Sequence, residues 1–366
     1  SKLVCGGEGG LAVMTDVTLD LVHAPAATGL ALLHFGDLHR ALSAVPAILE
    51  AMPSAVELLD NLGLTLCRGV REYARLLESF VEGEPHCVLI CEFQGESAAE
   101  VQAGVDRLDD LVRRQGLGAE ALVPVLEPAR QRDVWTVRKV ALGLLMSVPG
   151  DAKPIPFIED AAVPVEDLAD YVSEIERFCS DLGTRVAYYA HASAGCLHIR
   201  PLIDTKRASE VAKMPEILAF SVELLRGHGG SLSSEHGDGR TRSWINQRFF
   251  GPELYGLYRE VKQAFDPHGL LNPGTVVEAP PMTDNLRFGA DYRTLDYQPR
   301  LDFGEQQGFD RAIEMCNGAG VCRRRTHGTM CPSFMATREE EHSTRGRANA
   351  LRAAMSGALP AAELHS

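Results

Sequence analysis

From Leu30 to about Gln115 the chain alternates between two textures, and this alternation limits its fold more than any other feature. The short apolar runs ALLHF, AVELLD and HCVLICEF read as strands. Between them lie segments with helical spacing. Asp37 to Met52 is one, with Asp37 as N-cap, and Ser97 to Arg114 is another, capped by Ser97. A longer helical region separates AVELLD from HCVLICEF. Strands interleaved with amphipathic helices, without a phosphate-loop glycine pattern, predict an α+β sheet with helices packed on one face.

The 366 residues are enough for two domains at roughly 100–200 residues each. Hydrophobic residues at 45% and charged residues at 23% place the chain among ordinary globular proteins. No run reaches the ~18 apolar residues of a membrane-spanning helix, and no basic segment followed by an apolar run marks export. A net charge of −14 repels polyanions and argues against nucleic acid as a partner. The nine cysteines lack regular spacing, and several sit inside apolar runs, so the expected compartment is the reducing cytoplasm, with or without peripheral membrane association.

Residues 1–23 carry glycines around Glu8 and then the alternating apolar positions Leu11, Val13, Val17, Leu19 and Leu21, which read as a glycine-rich turn entering a strand. The stretch from Asp133 to Asp160 is rich in Gly and Pro and reads as partly loop. Its Arg138, Lys139 and Lys153 lie in apolar surroundings, either as an anion site or as ion-pair partners. After Val277 the composition shifts to Pro, Asp, Arg and Tyr, an irregular linker of about 30 residues.

The segment VAYYAHASAGCLHIRPLI carries the sharpest chemistry. Two strand-like runs flank a turn of small residues, predicting a β-hairpin centred near Ala194 and Gly195. About that centre His191 and His198 fall opposite each other on one face. Two imidazoles so placed either chelate a divalent ion or form a packed pair on the sheet. In SSEHGDGRTR, Glu235 is a hard carboxylate ligand and His236 a proton-transfer group, or the segment is a polar surface turn. Beyond it, Leu254, Leu257, Tyr258, Val261 and Phe265 share one face of a helix that Asp266-Pro267 ends.

Four motifs in order, GGEGGLAVMT, HASAGCLH, SEHGDGR and FDPHGLLNPG, resemble the flavin-linked 2-hydroxy acid dehydrogenases of the vanillyl-alcohol-oxidase fold, a group that includes D-lactate, glycolate and D-2-hydroxyglutarate dehydrogenases. The resemblance implies an end of a FAD-binding domain over residues 1–24 and an antiparallel-sheet cap with a return segment over 25–278. Residues 279–308 would then be a linker and 309–366 a partial ferredoxin-like domain. It implies FAD near Glu8, Gly9, Leu11 and Asn272, and a divalent ion, zinc or manganese, on His191, His198 and Glu235. His236 would take the proton of the substrate hydroxyl, and Arg138 and Lys153 would hold the substrate carboxylate. Two departures stand out. The family's Gly-Asp-Gly-Asn hairpin core is here Ser193, Ala194, Gly195 and Cys196, which removes hydrogen-bonding groups, and its Gly-Ser-Glu-Gly turn is Gly6, Gly7, Glu8 and Gly9.

The tail around EMCNGAGVC resembles the iron–sulfur domain fused to some large members. Cys316 and Cys322 take the first and third places of the C-x2-C-x2-C-x3-C-P pattern, Ala319 replaces the second, and Cys331-Pro332 ends it. Three thiolates leave a 4Fe-4S cluster incomplete in this chain, and a zinc-bound or disordered tail is the other reading. Arg323 to Arg325, Arg345 and Arg347 would offset thiolate charge or meet a redox partner, or form a solvated basic face. The resemblance thus implies oxidation of a small D-2-hydroxy acid to the 2-oxo acid, with electrons leaving through FAD and iron–sulfur centres to an electron-transfer protein or a quinone chain. Against it stand a metal-dependent hydrolase built on His191, His198 and Glu235, and a non-catalytic module that docks a redox partner.

Overall fold

The computed structural model describes residues 2–146, 148–326 and 331–360, so the expected C-terminal segment falls partly outside the described residues. Two compact units divide the chain: Ser1–Leu142, Pro154–Leu202 and Ala212–Asp284 form one, and Gly143–Lys153, Ile203–Val211 and Asn285–Ser366 the other.

The strands are β1 (Ala27–Phe35), β2 (Ala55–Leu59), β3 (Cys87–Gly95), β4 (Ala121–Val125), β5 (Lys153–Pro154), β6 (Ile158–Ala162), β7 (Val186–His191) and β8 (Cys196–Ile203). They form one sheet in the order β4-β1-β3-β2-β7-β8-β5, with β6 also paired to β8. The β1–β3, β1–β4, β2–β3, β2–β7, β6–β8 and β7–β8 pairings are all antiparallel. This is the expected α+β class.

The helices begin where the caps predict. Asp37 accepts from Arg40 N ahead of Leu38–Leu49, and Ser97 accepts from Glu100 N ahead of Ala98–Gln115. The helix Ala98–Gln115 lies on β1 and β3, where Gly29 and Gly104 admit Val101 and Phe93 at close range. Leu30 through Phe35 are all buried, the mark of a strand covered on both faces. The helix Pro128–Leu145 adds cover, and its Gln131 bonds both the hydroxyl and the carbonyl of Thr28. Residues 133–145 of the stretch read from sequence as partly loop are helical, Gly143 included; its prolines fall after Leu145. No helix among the described residues is long and apolar enough to cross a membrane.

One further expectation is corrected. Leu11 to His23 form no strand, and Val13, Val17, Leu19 and Leu21 are exposed. Alternation creates a strand only where a partner supplies the ladder, and none of the described residues pairs with this segment. The helix Pro252–Phe265 forms and ends at Asp266 as expected, with Leu254, Leu257 and Phe265 exposed.

Candidate active site

The hairpin forms as predicted but turns one position earlier. His191 pairs with Cys196, and Tyr189 with His198, around a 3-10 turn at Ala192–Ala194. The expected direct pairing of His191 with His198 is corrected accordingly. The reason lies in Gly195, which has φ +68 and gives its carbonyl to Val163 N; a Cβ there would stand 2.0 Å from the Val163 carbonyl oxygen. Because the partner shifts by two residues, every side chain keeps its face. Tyr189, His191, Cys196 and His198 thus share one surface, and the two imidazoles meet edge to face with centroids 5.2 Å apart.

Glu235 reaches this surface from the SSEHGDGR segment. Its Oε1 lies 3.2 Å from His191 Nε2 and 3.3 Å from His198 Nε2. Tetrahedral ligands about 2.1 Å from a zinc-sized ion are about 3.4 Å apart, so these separations suit a metal donor set. His236 stacks on His198 with centroids 5.0 Å apart, and its Nε2 is 3.7 Å from Glu235 Oε1. The chain therefore brings together His191, His198, Glu235 and His236, as read from the sequence.

Three carboxylates behind them were not singled out in the sequence. Glu57, on β2, accepts from His191 Nδ1 at 2.8 Å and pushes the imidazole pKa above its ordinary 6.5, with burial opposing. That contact leaves Nε2 facing Glu235. Glu159, on β6, lies 3.3 Å from His198 Nδ1 and accepts two bonds from Arg200, at 2.9 and 2.7 Å. Burial pushes its carboxyl up, but the contacts with His198 and Arg200 outweigh this and hold it at about 2. Asp160 has φ +70 and no exposure, and it organises the turn that carries Glu235 and His236. One oxygen accepts from Ser234 Oγ (2.7 Å) and Glu235 N (2.8 Å). The other accepts from Ser233 Oγ (2.6 Å), Ser234 N (3.0 Å) and His236 N (2.8 Å). Burial acts to raise its pKa, and these donors hold it at about 2 instead. The signal available in the sequence for Glu159 and Asp160 was only two acids entering an apolar strand.

The flavin candidates gather beside this turn. Glu8 accepts from Asp238 N at 2.6 Å and Gly239 N at 2.8 Å, and Asn272 Nδ2 donates to the Glu8 carbonyl at 2.7 Å. Gly237 is required by this approach, since at φ +79 a Cβ would meet the Glu8 carboxyl carbon at 2.7 Å. Lys262 Nζ donates to the carbonyls of Gly10 and Leu271 at 2.7 and 2.5 Å, tying the glycine turn to the FDPHGLLNPG segment. A cleft of about 670 Å³ opens here, with Glu8, Leu11, Glu235, His236 and Tyr258 among its walls.

The two expected substrate cations belong to different units. Arg138 is buried, forms an ion pair with Glu57 and lies 3.3 Å over the Tyr189 ring, while its Nε has no hydrogen-bond partner among the described residues. Lys153 belongs to the other unit, where its ammonium donates to the Val148 carbonyl and burial lowers its pKa. Cys316 and Cys322 are partly exposed, Cys331 is buried, and all three are free thiols. Arg323 and Arg345 are not a free basic face, because both pair with Glu340.

The described residues thus form an α+β unit whose antiparallel sheet presents two imidazoles and a carboxylate beside a glycine-lined cleft. The chain matches the family described as FAD linked oxidases, C-terminal domain, over residues 24–276, and it belongs to that family. It is 34% identical over 366 residues to the D-2-hydroxyglutarate dehydrogenase of Escherichia coli (strain K12), covering 96% of this chain and 35% of that protein. It is 30% identical over 296 residues to glycolate oxidase subunit GlcD of the same organism, covering 79% of this chain and 55% of that one. Among solved structures, p-cresol methylhydroxylase with substrate bound shares the fold at a TM-score of 0.52 and 14% identity, covering 72% of this chain and 54% of the other. The chain thus spans about a third of the D-2-hydroxyglutarate dehydrogenase and about half of the GlcD subunit.

Proposed function

We propose that this chain is the substrate-binding part of a FAD-dependent dehydrogenase that oxidises a D-2-hydroxy acid to the 2-oxo acid. D-2-hydroxyglutarate is the first candidate, with D-lactate and glycolate behind it. The convergence of His191, His198 and Glu235 beside His236 carries the reading, and the dehydrogenase and oxidase relatives support the substrate class. Bound flavin would supply a two-electron acceptor, and a zinc or manganese ion on the two imidazoles and Glu235 would lower the pKa of a coordinated hydroxyl. Glu57 and Glu159 fix the imidazole orientations from behind. His236 accepts the hydroxyl proton at Nε2, the nitrogen nearer Glu235, as hydride leaves the α-carbon. Glu8, Gly9, Leu11 and Asn272 are the residues assigned to the flavin. Arg138 is assigned to the substrate carboxylate, through a guanidinium that Glu57 already orients, and Lys153 is a second candidate cation. Electrons would leave through iron–sulfur chemistry at Cys316, Cys322 and Cys331, with the remaining cluster ligands supplied from elsewhere. Residues 1–24, 25–278, 279–308 and 309–366 remain the proposed segments.

The test uses the natural full-length protein. Its flavin absorbance is followed anaerobically as D-2-hydroxyglutarate, D-lactate and glycolate are added. Bleaching by the D acid, and its loss in His236→Ala, is the expected outcome. A flavin that no 2-hydroxy acid reduces, or hydrolytic turnover without an acceptor, refutes the proposal.

A further inference from the structure

The hairpin places one more donor atom in the same pocket. Cys196 is the strand partner of His191, precedes His198 by two residues, and is buried. Its Sγ lies 3.7 Å from Glu235 Oε1, 3.9 Å from His198 Nε2 and 3.1 Å from Ser234 Oγ. Asp160, Cys196 and Glu235 form a ligand-competent group that overlaps the His191, His198 and Glu235 group through Glu235. Cys67 and Cys91 are buried as well, but Cys196 faces an imidazole and two carboxylates.

We infer that Cys196 is a fourth ligand of the divalent-ion centre, making it a mixed imidazole, carboxylate and thiolate site that selects thiophilic ions over manganese. This rests on the metal reading proposed above and goes beyond it by naming the ion class. The two imidazoles and the carboxylate alone accept manganese, zinc or cobalt with little preference beyond the general order of affinities, whereas a sulfur ligand favours zinc, cobalt(II) and cadmium. On binding, the S–H bond breaks, the sulfur lone pair enters the coordination shell and the proton leaves to buffer; no redox change is involved. Sulfur at 3.7–3.9 Å from the neighbouring donors needs only small side-chain rotation, since a Zn–S bond is about 2.3 Å and lengthens the ligand–ligand separations accordingly.

The metal-free chain is titrated with cobalt(II), and visible and near-ultraviolet absorbance is recorded without any turnover. One equivalent is expected to produce ligand-field bands together with an intense sulfur-to-cobalt charge-transfer band. Cys196→Ser and Cys196→Ala, each checked for an unchanged circular dichroism spectrum, lose the charge-transfer band and weaken cadmium binding by at least about tenfold, while manganese binding changes little. His191→Ala, which keeps every thiol, loses the ligand-field bands as well. Ligand-field bands without charge transfer in the unaltered chain overturn the role of Cys196 and leave the two-histidine centre standing. A charge-transfer band that survives in both Cys196 variants belongs to another thiol and overturns it equally. No stoichiometric cobalt binding at all removes the metal reading itself, and this inference with it.

Discussion

Asp160→Asn isolates the contribution of a single charge to the shape of the site. Asn tolerates the positive φ of this position as Asp does, so the backbone preference is unchanged. The carboxylate accepts from three backbone N–H groups and two serine hydroxyls. An amide nitrogen placed at the oxygen facing His236 would confront two backbone N–H groups, which cannot reverse. The better orientation puts the amide nitrogen toward Ser234 Oγ, which can rotate to accept, and leaves the Glu235 N–H alone without a partner. One orphaned buried donor costs about 1–3 kcal/mol, and the surviving bonds weaken from charge-assisted to neutral, so the total is about 2–4 kcal/mol. Both tryptophans, Trp135 and Trp244, lie in the unit that contains Asp160, so fluorescence-monitored urea unfolding reports on it. The midpoint should fall with an unchanged slope. A change below about 0.5 kcal/mol, the range of an ordinary surface substitution, would refute the view that Asp160 builds this turn.

Three other outcomes follow from the same structure. His34 is buried, and burial lowers its pKa from 6.5. The unfolded chain therefore binds the proton more tightly, so stability is fully present above pH 6.5 and is lost as pH falls through the lower folded value; His34→Leu should flatten that profile, and an identical acid limb in both proteins would count against it. Lys262→Met removes the ammonium shared by Gly10, Leu271 and Asp266, so limited proteolysis within residues 6–11 should accelerate severalfold, and an unchanged cleavage rate contradicts the clamp. Chelation of a zinc-loaded sample should lower the thermal midpoint and zinc should restore it; a midpoint indifferent to both argues against a resident ion.

The elements most legible in the sequence were those specified by neighbours along the chain. Asp37 and Ser97 cap the helices they precede, and the apolar runs around Leu33, Leu58 and Leu89 are strands, because capping and periodicity act within a few residues. His191, His198, Glu235 and His236 were also legible, since a hairpin and a short polar turn each confine their own side chains. What only the tertiary structure decided involves partners remote in the sequence. Glu57, Glu159 and Asp160 reach the site from β2 and β6, and nothing local marks them as its supports. The hairpin register was set by Val163 closing on Gly195, a contact from outside the hairpin. Leu11 to His23 show the converse: alternation alone does not make a strand, because the ladder's hydrogen bonds must come from another segment.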